Sequence, residues 1–229
     1  MKKTELKLEY LKRVIEMINN KGLNQDCYNF KYGDETPISS KVFKIMPNGI
    51  IILSEEVYYA LLKVHELTIT KIREIPFFLY GTEIANNQIY FDDFCIQTKK
   101  LFKRFSLYTE SMYDDLAYEI DYHQRDNLVV CKGHSHPPMG PLMESFSLND
   151  LAGDMQFKKD NSIFKMKKIE VVSCLVTPSK DINFLYYDDK TEDFYRFGKV
   201  LVKNNKNMYY RINCYGDGKQ DILVKTIKR

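Results

Sequence analysis

Ile72 to Gly81 is an almost continuous apolar run without clean alternation, and no other segment constrains the fold as much. That pattern belongs to a strand covered on both faces. The segments around it carry helical periodicity. Ser54 can cap a helix over Glu55–Leu67, with Val57, Leu61 and Val64 as its apolar stripe and two glutamates in its first turn. Residues 110–123, with Tyr113, Leu116, Ala117 and Ile120 on one side, and Ser147 to Phe157 read as two more helices. Gln88 to Thr98, Asn127 to Lys132 and Ile169 to Val176 read as strands, and the tail from residue 182 alternates like further strands. Pro47-Asn48-Gly49 is flanked by Lys41–Met46 and Gly49–Leu53, which predicts a hairpin there. Helices interleaved with strands predict an α/β or α+β domain.

Ahead of it, Leu6, Leu11, Val14, Ile15 and Ile18 stand at helical spacing and end at Asn19-Asn20-Lys21-Gly22. A polar stretch follows to residue 40. Residues 1–40 thus read as a helix-and-linker extension, and 41–229 as one domain, a size that 229 residues allow.

Composition excludes several classes. No apolar run approaches the ~18 residues of a membrane span. The stretch Met1 to Lys7 turns polar where a signal peptide needs its apolar core. The five cysteines, at 27, 95, 131, 174 and 214, form no C-x-x-C and fit neither a disulfide framework nor a thiolate zinc knuckle. These features predict a cytoplasmic protein without membrane contact. A formal charge of +3 is too small to argue for nucleic acid.

The chemistry concentrates in Gly133-His134-Ser135-His136-Pro137-Pro138 and, after a loop, Ser147-Leu148-Asn149-Asp150. Only four histidines occur in the chain, and two of them stand two residues apart where a strand runs into a loop. Residues i and i+2 of an extended backbone share a face, so both imidazoles can reach one metal ion. Asp150, opening the next helix, adds an oxygen ligand. A His2Asp set leaves one tetrahedral vertex open, as catalytic zinc sites do, and zinc brings the pKa of a bound water down towards ~7. Such hydrolysis also needs a proton acceptor and an oxyanion donor. Ser147, one helical turn before Asp150, suits the second role, although serine equally suits a helix N-cap. Glu74 suits the first, as an acid in an otherwise apolar segment, where an unpartnered carboxylate costs several kcal/mol.

His-x-His-Pro followed by Ser-x-x-Asp resembles the JAMM motif of the JAB/MPN family of zinc metalloproteases. Glu74, Leu79 and Gly81 match that family's upstream Glu-x-x-Gly-x-Leu-x-Gly strand, and helix 55–67 stands where the family has one. The likeness covers about residues 50–180. It implies an MPN-type mixed sheet flanked by helices. It also implies a zinc-dependent peptidase or isopeptidase acting on a ubiquitin-like modifier or its conjugate. The family's roles fall on His134, His136 and Asp150 as zinc ligands, Glu74 as general acid/base and Ser147 as oxyanion donor. Phe77 stands where the family prefers glycine, so Glu83 competes with Glu74. The loop from Pro137 to Phe146 is about one helical turn longer than usual, which loop-closure entropy tolerates.

Other features have plainer readings. His65-Glu66 lacks the second histidine of a zincin helix, and His65 and His123 read as structural. Cys131 has the opposite parity to His134 and reads as a small buried apolar side chain. Gly216-Asp217-Gly218-Lys219 lacks P-loop spacing and reads as a turn. Lys99 to Phe105 reads equally as a solvated loop or a partner contact. Two rivals to the hydrolase stand: an inactive MPN-like scaffold that binds a protein partner, and a DNA-associated protein of the RadC type, which shares His-x-His-Pro. The charge, and the lack of a helix-turn-helix signal, argue against the latter. The modifier, the linkage and the oligomeric state are not written in the sequence.

Overall fold

The computed structural model describes residues 43–96, 108, 110–121, 125–139 and 141–215. The elements run β1 (Lys44–Ile45), β2 (Ile50–Ser54), α1 (Glu55–Lys71), β3 (Pro76–Ala85), β4 (Gln88–Ile96), α2 (Glu110–Asp121) and β5 (Leu128–Ser135). A 3-10 turn (Pro141–Glu144) then leads to α3 (Leu148–Asp160), α4 (Ser162–Met166), β6 (Glu170–Val176), β7 (Ile182–Asp188), β8 (Asp193–Arg196), β9 (Lys199–Lys203) and β10 (Tyr209–Ile212). All ten strands join one curled mixed sheet in the order β1-β8-β7-β6-β5-β3-β4-β2-β9-β10. With four helices among the described residues, the architecture is mixed α/β of the α+β kind. None of these helices is long and apolar enough to cross a membrane. The extension expected over 1–40, the segment Lys99–Phe105, His123 and Gly216–Lys219 lie outside the described residues.

Strand β3 explains the apolar run. Phe77 and Leu79 face one cluster, with Val57, Leu61 and Val64 of α1 and with Phe91, Phe184 and Val202 from other strands. Phe78 and Tyr80 face a second cluster on the opposite side, with Met112 and Leu116 of α2 and Phe157 of α3. Both faces are buried, so neither parity can be polar. Phe77 lies directly opposite Gly133 of β5, and a Cβ at Gly133 would sit 2.0 Å from the Phe77 ring. The missing side chain at 133 thus offsets the bulk at 77.

Helix α1 begins as expected, with Ser54 Oγ accepting the Val57 N–H at 3.1 Å and Glu55 and Glu56 in its first turn. It runs four residues beyond the predicted end, because no glycine stops it. Ile72 closes it instead in the left-handed region (φ 51°, ψ 50°), its N–H bonded to the Thr68 carbonyl. Strand β3 therefore starts at Pro76 rather than at Ile72, and Glu74 lies in the connection before it.

The expected hairpin around Pro47-Asn48-Gly49 is not formed. The turn itself exists, with Asn48 at φ 56° and the Gly49 N–H bonded to the Met46 carbonyl at 3.0 Å. Its flanking strands part company: β1 pairs in parallel with β8, while β2 inserts in parallel between β4 and β9. Turn residues set the local chain reversal, but burial of Ile51 and Leu53 in the α1 cluster decides which strands β2 joins.

Candidate metal centre

Strand β5 extends three residues beyond the predicted Lys132, carrying His134 and Ser135 into the sheet between β3 and β6. The His136 N–H still reaches the Val176 carbonyl at 3.0 Å. Pro137 and Pro138 follow and end the pairing, since neither has an N–H to give. His134 and His136 thus project from one face of the strand end. Ser135 points the other way. Its Oγ accepts the buried Ile75 N–H at 3.0 Å and is hydrogen-bonded to Thr68 Oγ1 of α1.

Asp150 approaches from the first turn of α3. Ser147 is that helix's N-cap: its Oγ accepts the Asp150 N–H at 3.2 Å, while Asp150 Oδ2 accepts the Ser147 N–H at 2.7 Å. This reciprocal capping box holds the carboxylate against the helix start. The Ser147 hydroxyl also donates to Asp150 Oδ2 at 2.8 Å. Ser147 therefore caps the helix, the plainer of the two roles its sequence position allowed.

Three side chains converge. His134 Nε2 lies 3.0 Å from His136 Nε2 and 3.1 Å from Asp150 Oδ1, and His136 Nε2 lies 3.5 Å from Asp150 Oδ2. Four donors held at 2.0–2.1 Å around one tetrahedral ion are separated by about 3.3 Å. The Nε2–Nε2 and Nε2–Oδ1 separations lie near that value, and the 3.5 Å separation runs to the other carboxylate oxygen, Oδ2. The donor chemistry agrees. A carbonyl oxygen can only accept, so His136 Nδ1, 3.0 Å from the Met143 carbonyl, carries the proton. With that proton on Nδ1, His136 turns Nε2, the atom a metal ion would use, towards His134 and Asp150. The group can hold a metal ion.

Burial and charge oppose each other within the cluster. Burial, the largest single effect on His134, pulls its pKa down, but the Asp150 carboxylate and its hydrogen bond, helped by Glu74 and Asp154, push it up to about 9. Burial likewise disfavours the charged form of Asp150, and the two imidazoles outweigh it, holding that carboxyl well below its ordinary range.

No protein-family model matches the chain, and no curated protein matches it.

Glu74 and Glu83 part clearly. Pro76 pairs with His134, so Glu74, two residues earlier and half-buried, lies beside the histidines, and its charge acts on His134. Glu83 is at the far end of β3, about 23 Å along the strand from Pro76. Its Oε1 accepts the Asn87 N–H at 2.9 Å in the β3–β4 turn. His65 reads as structural here too, bonding the Pro178 carbonyl at 2.9 Å, and Cys131 is fully buried.

Sequence reasoning missed the supports. The long loop is pinned twice: by the Met143 carbonyl on His136, and by Glu144, whose Oε1 accepts from Ser179 Oγ at 2.8 Å and Oε2 from Ser179 N–H at 3.3 Å. A backbone carbonyl leaves no sequence signal. Ser135, between the histidines, and Asp154, four residues after Asp150, could have been found from strand parity and helical spacing.

Proposed function

We propose that the chain is a zinc-dependent hydrolase of peptide or isopeptide bonds, acting on a ubiquitin-like modifier or its conjugate. The reading rests on one observation: the Nε2 atoms of His134 and His136 and the Asp150 carboxylate approach one another to 3.0–3.5 Å, and no fourth protein ligand of metal-binding type joins them among the described residues. Nitrogen–nitrogen–oxygen donation with a vertex left to solvent favours zinc in a catalytic role over a structural ion. When bound, zinc supplies Lewis acidity towards a carbonyl oxygen and lowers the pKa of a water molecule.

The chain's own residues supply the rest. The Glu74 carboxylate, beside the histidines and half-exposed, accepts a proton from the attacking water and delivers it to the departing amine. Ser147 Oγ donates to the oxyanion, exchanging its present contact with Asp150 Oδ2 for that bond. The Met143 carbonyl keeps the His136 proton on Nδ1, so Nε2 stays a ligand. The JAMM resemblance supports the same roles and, with the mixed sheet flanked by helices, an MPN-type fold and a protein substrate.

Metal analysis of protein purified without added zinc is expected to find about one zinc per chain, absent from H134A and D150A. E74Q is expected to keep the metal and lose activity on a ubiquitin-like fusion by roughly 10²–10⁴-fold, the contribution of a general base. A parent protein that takes up no metal overturns the reading. E74Q with full activity removes Glu74 from it.

A further inference from the structure

The metal cluster is one rung of a two-rung ladder. On β5, Lys132, His134 and His136 share a face at i, i+2 and i+4. On α3, Asp150 and Asp154 share a face one helical turn apart. Asp150 meets the two histidines, and Asp154 meets Lys132, whose Nζ donates to Oδ1 at 2.7 Å. This second pair is buried, with 15% of the Lys132 side chain and 6% of that of Asp154 exposed. Its ammonium lies 5.3 Å from the centre of the Tyr108 ring and 5.8 Å from that of Phe157, over faces that favour a cation. Tyr108 in turn donates its hydroxyl to the Gly133 carbonyl, next to His134.

Such a pair is poorly explained by stability. Removing two charges from water costs several kcal/mol per ion, and well-packed apolar residues in their place are often neutral or stabilising. Asp154 is not even saturated: Oδ2 is buried and meets no hydrogen-bond partner among the described residues. What the pair does supply is direction. Lys158 ties the far end of α3 to β7 through the Tyr187 carbonyl at 2.9 Å, whereas the Lys132–Asp154 contact, braced by two rings, ties α3 to β5 itself, one helical turn from Asp150. Leu151 and Met155 pack on Leu175 of β6 and on Leu185 and Tyr187 of β7, so these apolar contacts hold α3 to the neighbouring strands and not to the strand that carries the imidazoles.

We infer that Lys132 and Asp154 are positioning residues of the metal centre, whose buried ion pair fixes the register of α3 on β5 so that Asp150 meets His134 and His136 as a ligand. The inference rests on the metal-binding reading above. Cobalt(II) is the probe, because its visible absorption reports coordination geometry and its affinity can be measured by competition with a chelator. D154N, K132M and the apolar double variant K132M/D154L are each expected to weaken cobalt binding about tenfold or more, the usual cost of losing an outer-shell partner, and to alter the visible band. K132R, which keeps the pair, is expected to stay within about threefold of the parent. In chelator, K132M/D154L is expected to melt no lower than the parent, which separates lost positioning from lost folding. Parent-like cobalt affinity and spectrum in D154N and the double variant overturn the inference and leave the hydrolase reading standing. A parent that binds no cobalt overturns both.

Discussion

At His134 burial and charge oppose each other, and charge wins. With its pKa lifted to about 9, the metal-free imidazole is protonated at neutral pH, held between Asp150 and the Nε2 of His136. A metal ion needs that nitrogen bare, so it must displace one proton. The sign follows: apparent zinc affinity should rise about tenfold per pH unit as pH increases towards 9, and level off above it. Chelator competition at a series of pH values measures this, and a flat profile below 9 would contradict it. Folding of the metal-free chain has the reverse dependence. A folded-state pKa above the ordinary value of 6.5 gives stability that is complete below about 6.5 and lost as pH rises through 9. Asp150, held low, contributes stability present above its ordinary 3.8 and lost only in stronger acid. The three candidate ligands were legible because strand parity puts residues 134 and 136 on one side and an N-terminal helix position puts Asp150 at hand. The Met143 carbonyl was not, since any residue could present it.

Between residue and fold stands the connection from α1 to β3, which carries Glu74. Residues 72–75 belong to neither α1 nor β3. The left-handed Ile72 turns the chain, and Ser135 Oγ then catches the Ile75 N–H. Ile75 is fully buried, so S135A leaves that N–H without a partner. The expected cost is about 1–3 kcal/mol of stability by denaturant unfolding. On the hydrolase proposed above, S135A should reduce turnover more than zinc affinity, because the Ser135 hydroxyl holds Ile75, next to Glu74, from the side of β5 opposite the imidazoles. Equal losses in both would refute the division. This is also where the sequence was hardest to read. The apolar run from Ile72 gave β3 its existence, but its start depended on α1 continuing to Lys71, and nothing in residues 68–71 marks a stop. Turn chemistry at Pro47–Gly49 was read correctly as a turn and wrongly as a hairpin, because the partners of β1 and β2 are chosen by distant strands, β8 for one and β4 and β9 for the other.

Across the whole molecule the site is a seam. It joins the end of β5 in mid-sheet, the α1–β3 connection, the start of α3 and the pinned loop at Met143–Glu144, none of which is adjacent to all the others in the chain. Apolar burial holds the two sides of the sheet together without reference to these four pieces, which is why the mixed α+β class was readable while the meeting point was readable only from its chemistry. An ion bound by His134, His136 and Asp150 would tie β5 to α3 across about fifteen residues of intervening chain. Binding to the folded state alone stabilises it by about 2.7 kcal/mol when free metal is 100 times its dissociation constant. That stabilisation should raise the melting temperature in zinc, reverse in chelator and vanish in D150A. Local opening gives a sharper test than the melting temperature. Under zinc, amide hydrogen exchange should slow most at residues 134–136, 143–144 and 147–154, and be least affected relative to global unfolding at the far end of β3, where Thr82 and Glu83 pair with Tyr90 and Ile89, about 20 Å along the strand from the Pro76–His134 pair. Uniform slowing everywhere would mean that the ion acts on the global unfolding equilibrium alone and that the seam has no motion of its own to restrain.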